Sequence, residues 1–108
     1  MGCQWAGLGK CIMEIKVIKE SLDKSASILQ TFQFDLFRAL LEEDDSIMDK
    51  IFVVNIVIVA VQIALVDLFN DLDIKPDIII GYSLGELVSA YCDGCLSHEQ
   101  AILIAFYR

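Results

Sequence analysis

The chain has 108 residues, of which 56% are apolar and 22% charged, a balance that excludes disorder and allows at most one small domain. Its formal net charge of −8 argues against nucleic acid, because a protein that displaces counterions from phosphates must supply lysine and arginine. A free-standing domain this small cannot hide so much apolar surface, so the composition is that of the inner part of something larger.

The first ten residues, Met1 to Lys10, form a glycine-rich turn too irregular for regular structure. No signal-peptide pattern opens the chain, so a reducing, cytoplasmic setting with free thiols is expected for the four cysteines, Cys3, Cys11, Cys92 and Cys95. Ile12, Ile15, Ile18, Leu22 and Leu29 recur at helical spacing, which predicts an amphipathic helix over about 11–30. A second short helix is expected over Phe34–Leu41, followed by a solvated acidic loop at Glu42-Glu-Asp-Asp45. A long helix over about 47–70 comes next. Its run Ile51–Phe69 is long and apolar enough to suggest a membrane span. Asn55, Gln62 and Asp67 interrupt that run, and no Lys/Arg cluster or Trp/Tyr belt flanks it, so a buried core helix is the expectation. Asp71–Pro76 is a connection, since Pro76 cannot continue a helix.

Asp77-Ile-Ile-Ile-Gly81 reads as an interior parallel strand, with three consecutive isoleucines suited to cover on both faces. It runs into Gly81-x-Ser83-x-Gly85, the layout of a nucleophile elbow: strand, sharp turn, helix. Glycines on either side let the backbone turn tightly and hold Ser83 strained, with its hydroxyl at the positive end of the following helix. Leu84, Leu87, Val88 and Tyr91 mark one face of that helix, and Asp93-Gly94 ends it. Ser97-His-Glu-Gln100 has the pattern of a capping box for a last helix, Ala101 to Arg108, apolar nearly all round and therefore expected to be buried. Cys92-x-x-Cys95 follows a helix rather than opening one and has no second pair to complete a zinc site, so no metal is expected. One strand cannot satisfy its own backbone groups. The sheet it belongs to is therefore expected largely outside these residues, and the chain reads as a fragment. The elbow alone permits an acyltransferase, a serine esterase or lipase of α/β-hydrolase type, or a non-catalytic remnant.

Four features in order carry a family resemblance. They are Gly2-Cys-Gln-Trp-Ala-Gly-Leu-Gly9; Gln62-Ile-Ala-Leu-Val-Asp-Leu-Phe69 with Lys75-Pro76-Asp77; Gly81-Tyr-Ser-Leu-Gly-Glu86; and Ala90-Tyr-Cys-Asp-Gly-Cys-Leu-Ser97 with the closing Tyr107-Arg108. Together they resemble the malonyl/acetyl (acyl) transferase domain of animal-type fatty acid synthase. The resemblance implies an α/β class. The chain would be the N-terminal part of an α/β-hydrolase-like acyltransferase subdomain, mostly helical here, with one clear parallel strand leading into the elbow. Residues 1–108 would be a partial domain without its first strand, its C-terminal part and its lid subdomain.

The resemblance also implies the chemistry. Ser83 is the nucleophile that becomes an acyl ester, and the backbone N–H groups of Gln4 and Leu84 form the oxyanion hole. Arg108, twenty-five positions after Ser83, clamps the free carboxylate of a malonyl group, a task suited to a guanidinium fork. Malonyl or acetyl groups would pass from coenzyme A to the phosphopantetheine of an acyl carrier protein, with no cofactor resident in this segment. The partners would be the other domains of a fatty acid synthase, a homodimer in the parent. Two positions depart from the pattern: Met1 replaces the first glycine of the N-terminal turn, and Tyr82 stands where most relatives carry histidine. The family's catalytic histidine lies beyond Arg108. The single histidine here, His98, is expected on a solvent-facing first turn without a catalytic role, so the chain alone should be close to inert.

Overall fold

The computed structural model describes residues 12–41 and 51–108, and these form five helices. In chain order they are α1 (Lys16–Gln30), α2 (Leu36–Leu41), α3 (Ile51–Asp71), α4 (Gly85–Cys92) and α5 (His98–Tyr107). The expected N-terminal turn with Cys3 and Gln4, Cys11 at the start of the first expected helix, the acidic loop, and the first residues of the expected long helix lie outside the described residues.

Helix α3 is the axis of the molecule, with α1, α2, α4 and α5 packed against it. Val57, Ile56, Val59, Ala60, Ile63 and Ala64 on α3 are fully buried and meet Ile18, Leu22 and Leu29 of α1 and Ala101 and Ile102 of α5. Each fully buried aliphatic side chain contributes on the order of 1.5–3 kcal/mol. By length and composition alone α3 could cross a membrane, with a mean hydropathy of 2.6 over eighteen residues, yet half of that window is buried inside the fold. The core-helix expectation describes what is seen.

Helix α1 begins at Lys16 rather than near residue 11, because a turn over residues 13–15, closed by Ile15 N–H to Ile12 O at 3.1 Å, separates it from the helical Ile12. Helix α2 begins two residues later than expected, with Asp35 Oδ1 accepting from the N–H of Arg38 at 3.1 Å as a side-chain cap. Three helix ends close in one way, with a residue in the left-handed region and a pair of back-directed hydrogen bonds. Gln33 (φ 60°) does this after α1, Asp73 (φ 58°) after α3 and Gly94 (φ 84°) after α4. The outer bonds are Phe34 N–H to Leu29 O at 3.2 Å, Ile74 N–H to Phe69 O at 2.9 Å and Cys95 N–H to Ala90 O at 2.8 Å. The capping box of α5 is present in full: Ser97 Oγ accepts from Gln100 N–H at 3.1 Å, and Gln100 Oε1 from Ser97 N–H at 2.8 Å.

One expectation about α5 is corrected. It is buried on a single face only, through His98, Ala101, Ile102 and Ala105, while Ile104 and Tyr107 are exposed. Nothing among the described residues packs over its outer side. The C-terminal end of α5 is fixed instead by aromatic contacts. Phe106 stacks on Phe32 at 4.5 Å between centroids and meets Phe52 edge-on at 5.3 Å.

From Leu72 to Leu84 the chain has no regular secondary structure. Among the described residues nothing lies alongside 77–81 to form a ladder, and no main-chain hydrogen bond ties that stretch to another element. Ile78 and Ile80 are 77% and 88% exposed. The inner side of the segment covers α3 and α4 loosely, over a cleft of about 390 Å³ lined by Val66, Phe69, Ile74, Ile79 and Cys92.

Candidate active site

The turn from this extended segment into α4 is built around Ser83, whose φ is 56°. A side chain with a Cβ seldom occupies the left-handed region, and the conformation costs on the order of 1–3 kcal/mol. The first turn of α4 holds it there. Gly85 N–H bonds to Tyr82 O at 2.9 Å, Glu86 N–H to Ser83 O at 3.0 Å and Leu87 N–H to Leu84 O at 3.1 Å. Ser83 is exposed, Tyr82 is 92% exposed, and Glu86 places a carboxylate in the first turn of α4. Among the described residues the N–H of Leu84 donates to no backbone carbonyl, as an oxyanion donor requires.

The two glycines of the motif do different work. A Cβ built on Gly81 would lie 2.2 Å from Ser89 Oγ and 2.3 Å from the carbonyl oxygen of Gly85, whereas one built on Gly85 meets nothing within 4 Å. Neither glycine supplies the left-handed conformation, which falls on Ser83 itself. Gly81 is required by close approach to the start of α4.

Behind the elbow lies a second depression of about 260 Å³, lined by Gln62, Val66, Ile80, Gly85, Val88 and Ser89. Gln62 Oε1 is buried there without a hydrogen-bond partner among the described residues. In the sequence Gln62 stands out as a polar interruption of an apolar run and as the first residue of a family motif, neither of which gives it a role. Its position one helical turn before Val66, on the face that meets α4, was the available signal.

Arg108 follows the last turn of α5, its N–H bonded to Ile104 O at 3.0 Å and its side chain exposed. No hydrogen bond or ion pair among the described residues joins it to Ser83. Gln4 lies outside the described residues. Cys92 and Cys95 are both free, and no cluster of three or more His, Cys, Asp or Glu among the described residues could hold a metal.

His98 is not where it was expected. It is 4% exposed and faces inward, its Nε2 2.6 Å from Ser25 Oγ on α1 and its Nδ1 3.9 Å from Asp67 Oδ2 on α3. The hydroxyl of Tyr91 on α4 donates to the other oxygen of Asp67. Asp67 favours the tautomer with the proton on Nδ1, which leaves Nε2 to accept from the Ser25 hydroxyl. Burial lowers the imidazole pKa, Asp67 opposes that shift and Lys24 adds to it, so the ring is held neutral. Burial, and then the bond to Asp67, drives the Tyr91 phenol far above its ordinary range. Serine, histidine and aspartate thus meet in an order familiar from hydrolases, but Ser25 is fully buried and no substrate carbonyl can reach it. The group is a polar hub joining four helices. The correction has a simple physical reason: His98 shares the 98–101–102–105 face of α5 with Ala101, Ile102 and Ala105.

Comparison with known proteins identifies the family of the chain. A family model described as the acyl transferase domain matches residues 1–108. A highly reducing polyketide synthase of Alternaria alternata is 37% identical over 110 residues, covering 99% of this chain and 4% of its own length. Another, from Stachybotrys chartarum, is 37% identical over 110 residues, covering 99% of this chain and 5% of its own. A 6-hydroxymellein synthase of Talaromyces verruculosus is 35% identical over 111 residues, again 99% of this chain and 4% of its own. The chain spans only a small part of these relatives, and the similarity does not single out animal-type fatty acid synthase. With a match over its whole length, the chain belongs to the acyl transferase domain family.

Proposed function

We propose that this chain carries the nucleophile of a malonyl/acetyl transferase that loads an acyl-chain synthase. The observation that carries this reading is Ser83, held at φ 56° between an extended segment and the N-terminus of α4, in a chain that matches the acyl transferase domain throughout. Ser83 Oγ attacks the thioester carbonyl of malonyl- or acetyl-coenzyme A, losing its proton to a base. The carbon–sulfur bond breaks, and coenzyme A leaves as its thiol. The phosphopantetheine thiol of a carrier protein then attacks the ester and Ser83 recovers its proton. In both steps the negative carbonyl oxygen takes hydrogen bonds from the N–H groups of Leu84 and Gln4. Donors of this kind contribute on the order of 10²–10³ in rate where one has been removed. Arg108 binds the malonyl carboxylate through two parallel hydrogen bonds.

His98 does not serve as the base for Ser83, because its Nε2 is engaged by Ser25 in the hub. The base comes from sequence beyond Arg108, and the chain by itself transfers acyl groups poorly or not at all. Residues 77–81 join, as a parallel strand, a sheet supplied by that further sequence, which makes the fold α/β in the whole domain. The product is a fatty acid or a polyketide, since both kinds of synthase use such a domain. Free Cys92 and Cys95 suit a cytoplasmic setting.

The test is trapping of the acyl-enzyme. The intact synthase is incubated with labelled malonyl-coenzyme A, and the peptide containing Ser83 is examined by mass spectrometry, with Ser83→Ala as control. An ester on Ser83 that waits for a carrier thiol supports the transferase. Steady release of free malonate to water, with or without a carrier, marks a serine hydrolase instead.

A further inference from the structure

The polar hub has a place in this chemistry beyond holding helices together. Its four groups come from α1 (Ser25), α3 (Asp67), α4 (Tyr91) and α5 (His98), and they meet beside the turn that joins α4 to α5. Helix α4 carries Ser83 and Leu84 at its far end, and α5 ends at Arg108. The Arg108 end of α5 is already held by the stacking of Phe106 on Phe32 and its edge contact with Phe52. At the other end of α5, and on α4, the hub adds polar ties to the burial of Ala101, Ile102 and Val88.

We propose that His98 is a positioning residue for acyl transfer: by bonding Ser25 on α1 at 2.6 Å and packing edge-on against Tyr91 of α4 beside Asp67, it keeps the Ser83 elbow in register with Arg108. This rests on the reading of Ser83 and Arg108 given above. From Tyr91 back to Ser83 is about 12 Å of chain at helical rise. A tilt of about 5° at the hub therefore carries Ser83 roughly 1 Å relative to Arg108, and a misplacement of that size can cost on the order of 10² in rate. The loss should be selective. Both acyl groups need Ser83 and the N–H groups of Leu84 and Gln4, whereas a malonyl group must also reach Arg108 and so loses more.

Loading of Ser83 from malonyl- and acetyl-coenzyme A is measured separately in the intact synthase. The variants are His98→Leu, which keeps volume and removes the bond to Ser25, and His98→Gln, whose amide can face Ser25 again. Ser25→Ala deletes one contact with little change of volume and covers the case in which His98→Leu does not fold. The expected result is malonyl loading reduced by about 10² in His98→Leu, with acetyl loading reduced by much less. His98→Gln should restore most of the malonyl rate, and Ser25→Ala should shift the malonyl-to-acetyl ratio in the same direction by less. Equal losses for both substrates, or no loss for either, would overturn the positioning role while leaving Ser83 as the nucleophile. If the parent protein forms no ester on Ser83 from either substrate, the transferase reading fails, and this inference with it.

Discussion

Replacing Gly81 by alanine tests the elbow at its tightest point. The added methyl would sit 2.2 Å from Ser89 Oγ, 2.3 Å from Gly85 O and 2.6 Å from Gly85 C. Ser89 can rotate away, but the other two atoms are backbone of the first turn of α4. Carbon contacts become comfortable only near about 3.5 Å, so the segment and the helix must part by more than about 1 Å. Overpacking of this kind costs about 1–3 kcal/mol. In a domain of this size that lowers the melting temperature on the order of 10 °C. The same displacement moves Ser83 against its oxyanion donors, so acyl loading should fall on the order of 10²-fold. Gly85→Ala is the internal control: its methyl meets nothing within 4 Å, and alanine in a helix is favoured over glycine by about 1 kcal/mol. Urea denaturation followed by circular dichroism, with ester trapping on the same samples, reads both. A Gly81→Ala protein within 0.5 kcal/mol of the parent, by a rough threshold set by ordinary surface changes, would refute the close-approach argument.

Other outcomes follow from the same geometry. Ser83→Gly should abolish the ester yet stabilise the fold by about 1 kcal/mol, because glycine occupies the left-handed region without penalty; equal stability in thermal melts would count against strain at the elbow. The pKa of His98 is lowered from 6.5 in the folded state, so the unfolded chain binds the extra proton first as pH drops. Stability from this site is therefore complete above about pH 6.5 and is lost as pH falls through the folded value, with Lys24, Asp67 and Tyr91 the charged or titratable groups facing the ring. His98→Gln should flatten that part of a stability-against-pH curve. Tyr91→Phe leaves Asp67 without its phenol donor and should cost about 1.5–3 kcal/mol in denaturant titrations, as for a bond to a charged acceptor. Ser97→Ala removes half of the capping box and should cost about 1 kcal/mol by the same assay.

Local signals were readable from residues alone. The 3.6-residue period gives α1, the long apolar run gives α3, Ser97 and Gln100 give the start of α5, and Gly94 gives the end of α4. The strained serine followed from the glycine spacing and the flanking elements. What stayed hidden was decided by neighbours. Asp73 and Gln33 close helices in conformations usually given to glycine, and their side chains do not announce it. His98 and Ser25 were legible in principle, because each falls in a row of apolar residues on one helix face: Ala101, Ile102 and Ala105 for the histidine, Ile18, Leu22 and Leu29 for the serine. For His98, polarity points to solvent while the periodicity of its helix face points inward. The buried placement of Gln62 is hidden for the opposite reason, since one amide inside a long apolar run looks like tolerance rather than placement. Helix α5 looked apolar all round, but its burial depends on partners that composition does not name.

The exposed run at Ile78–Ile80 has a consequence for handling the protein. Three β-branched residues without charge or proline, with free backbone donors and acceptors, make a short template for cross-strand association between molecules. Soluble yield should therefore fall with concentration, and the precipitate should be rich in intermolecular β-structure by infrared spectroscopy. A single lysine at position 80, on an outward side chain that is already 88% exposed, acts as a gatekeeper and keeps the helical layer in solution without touching its core.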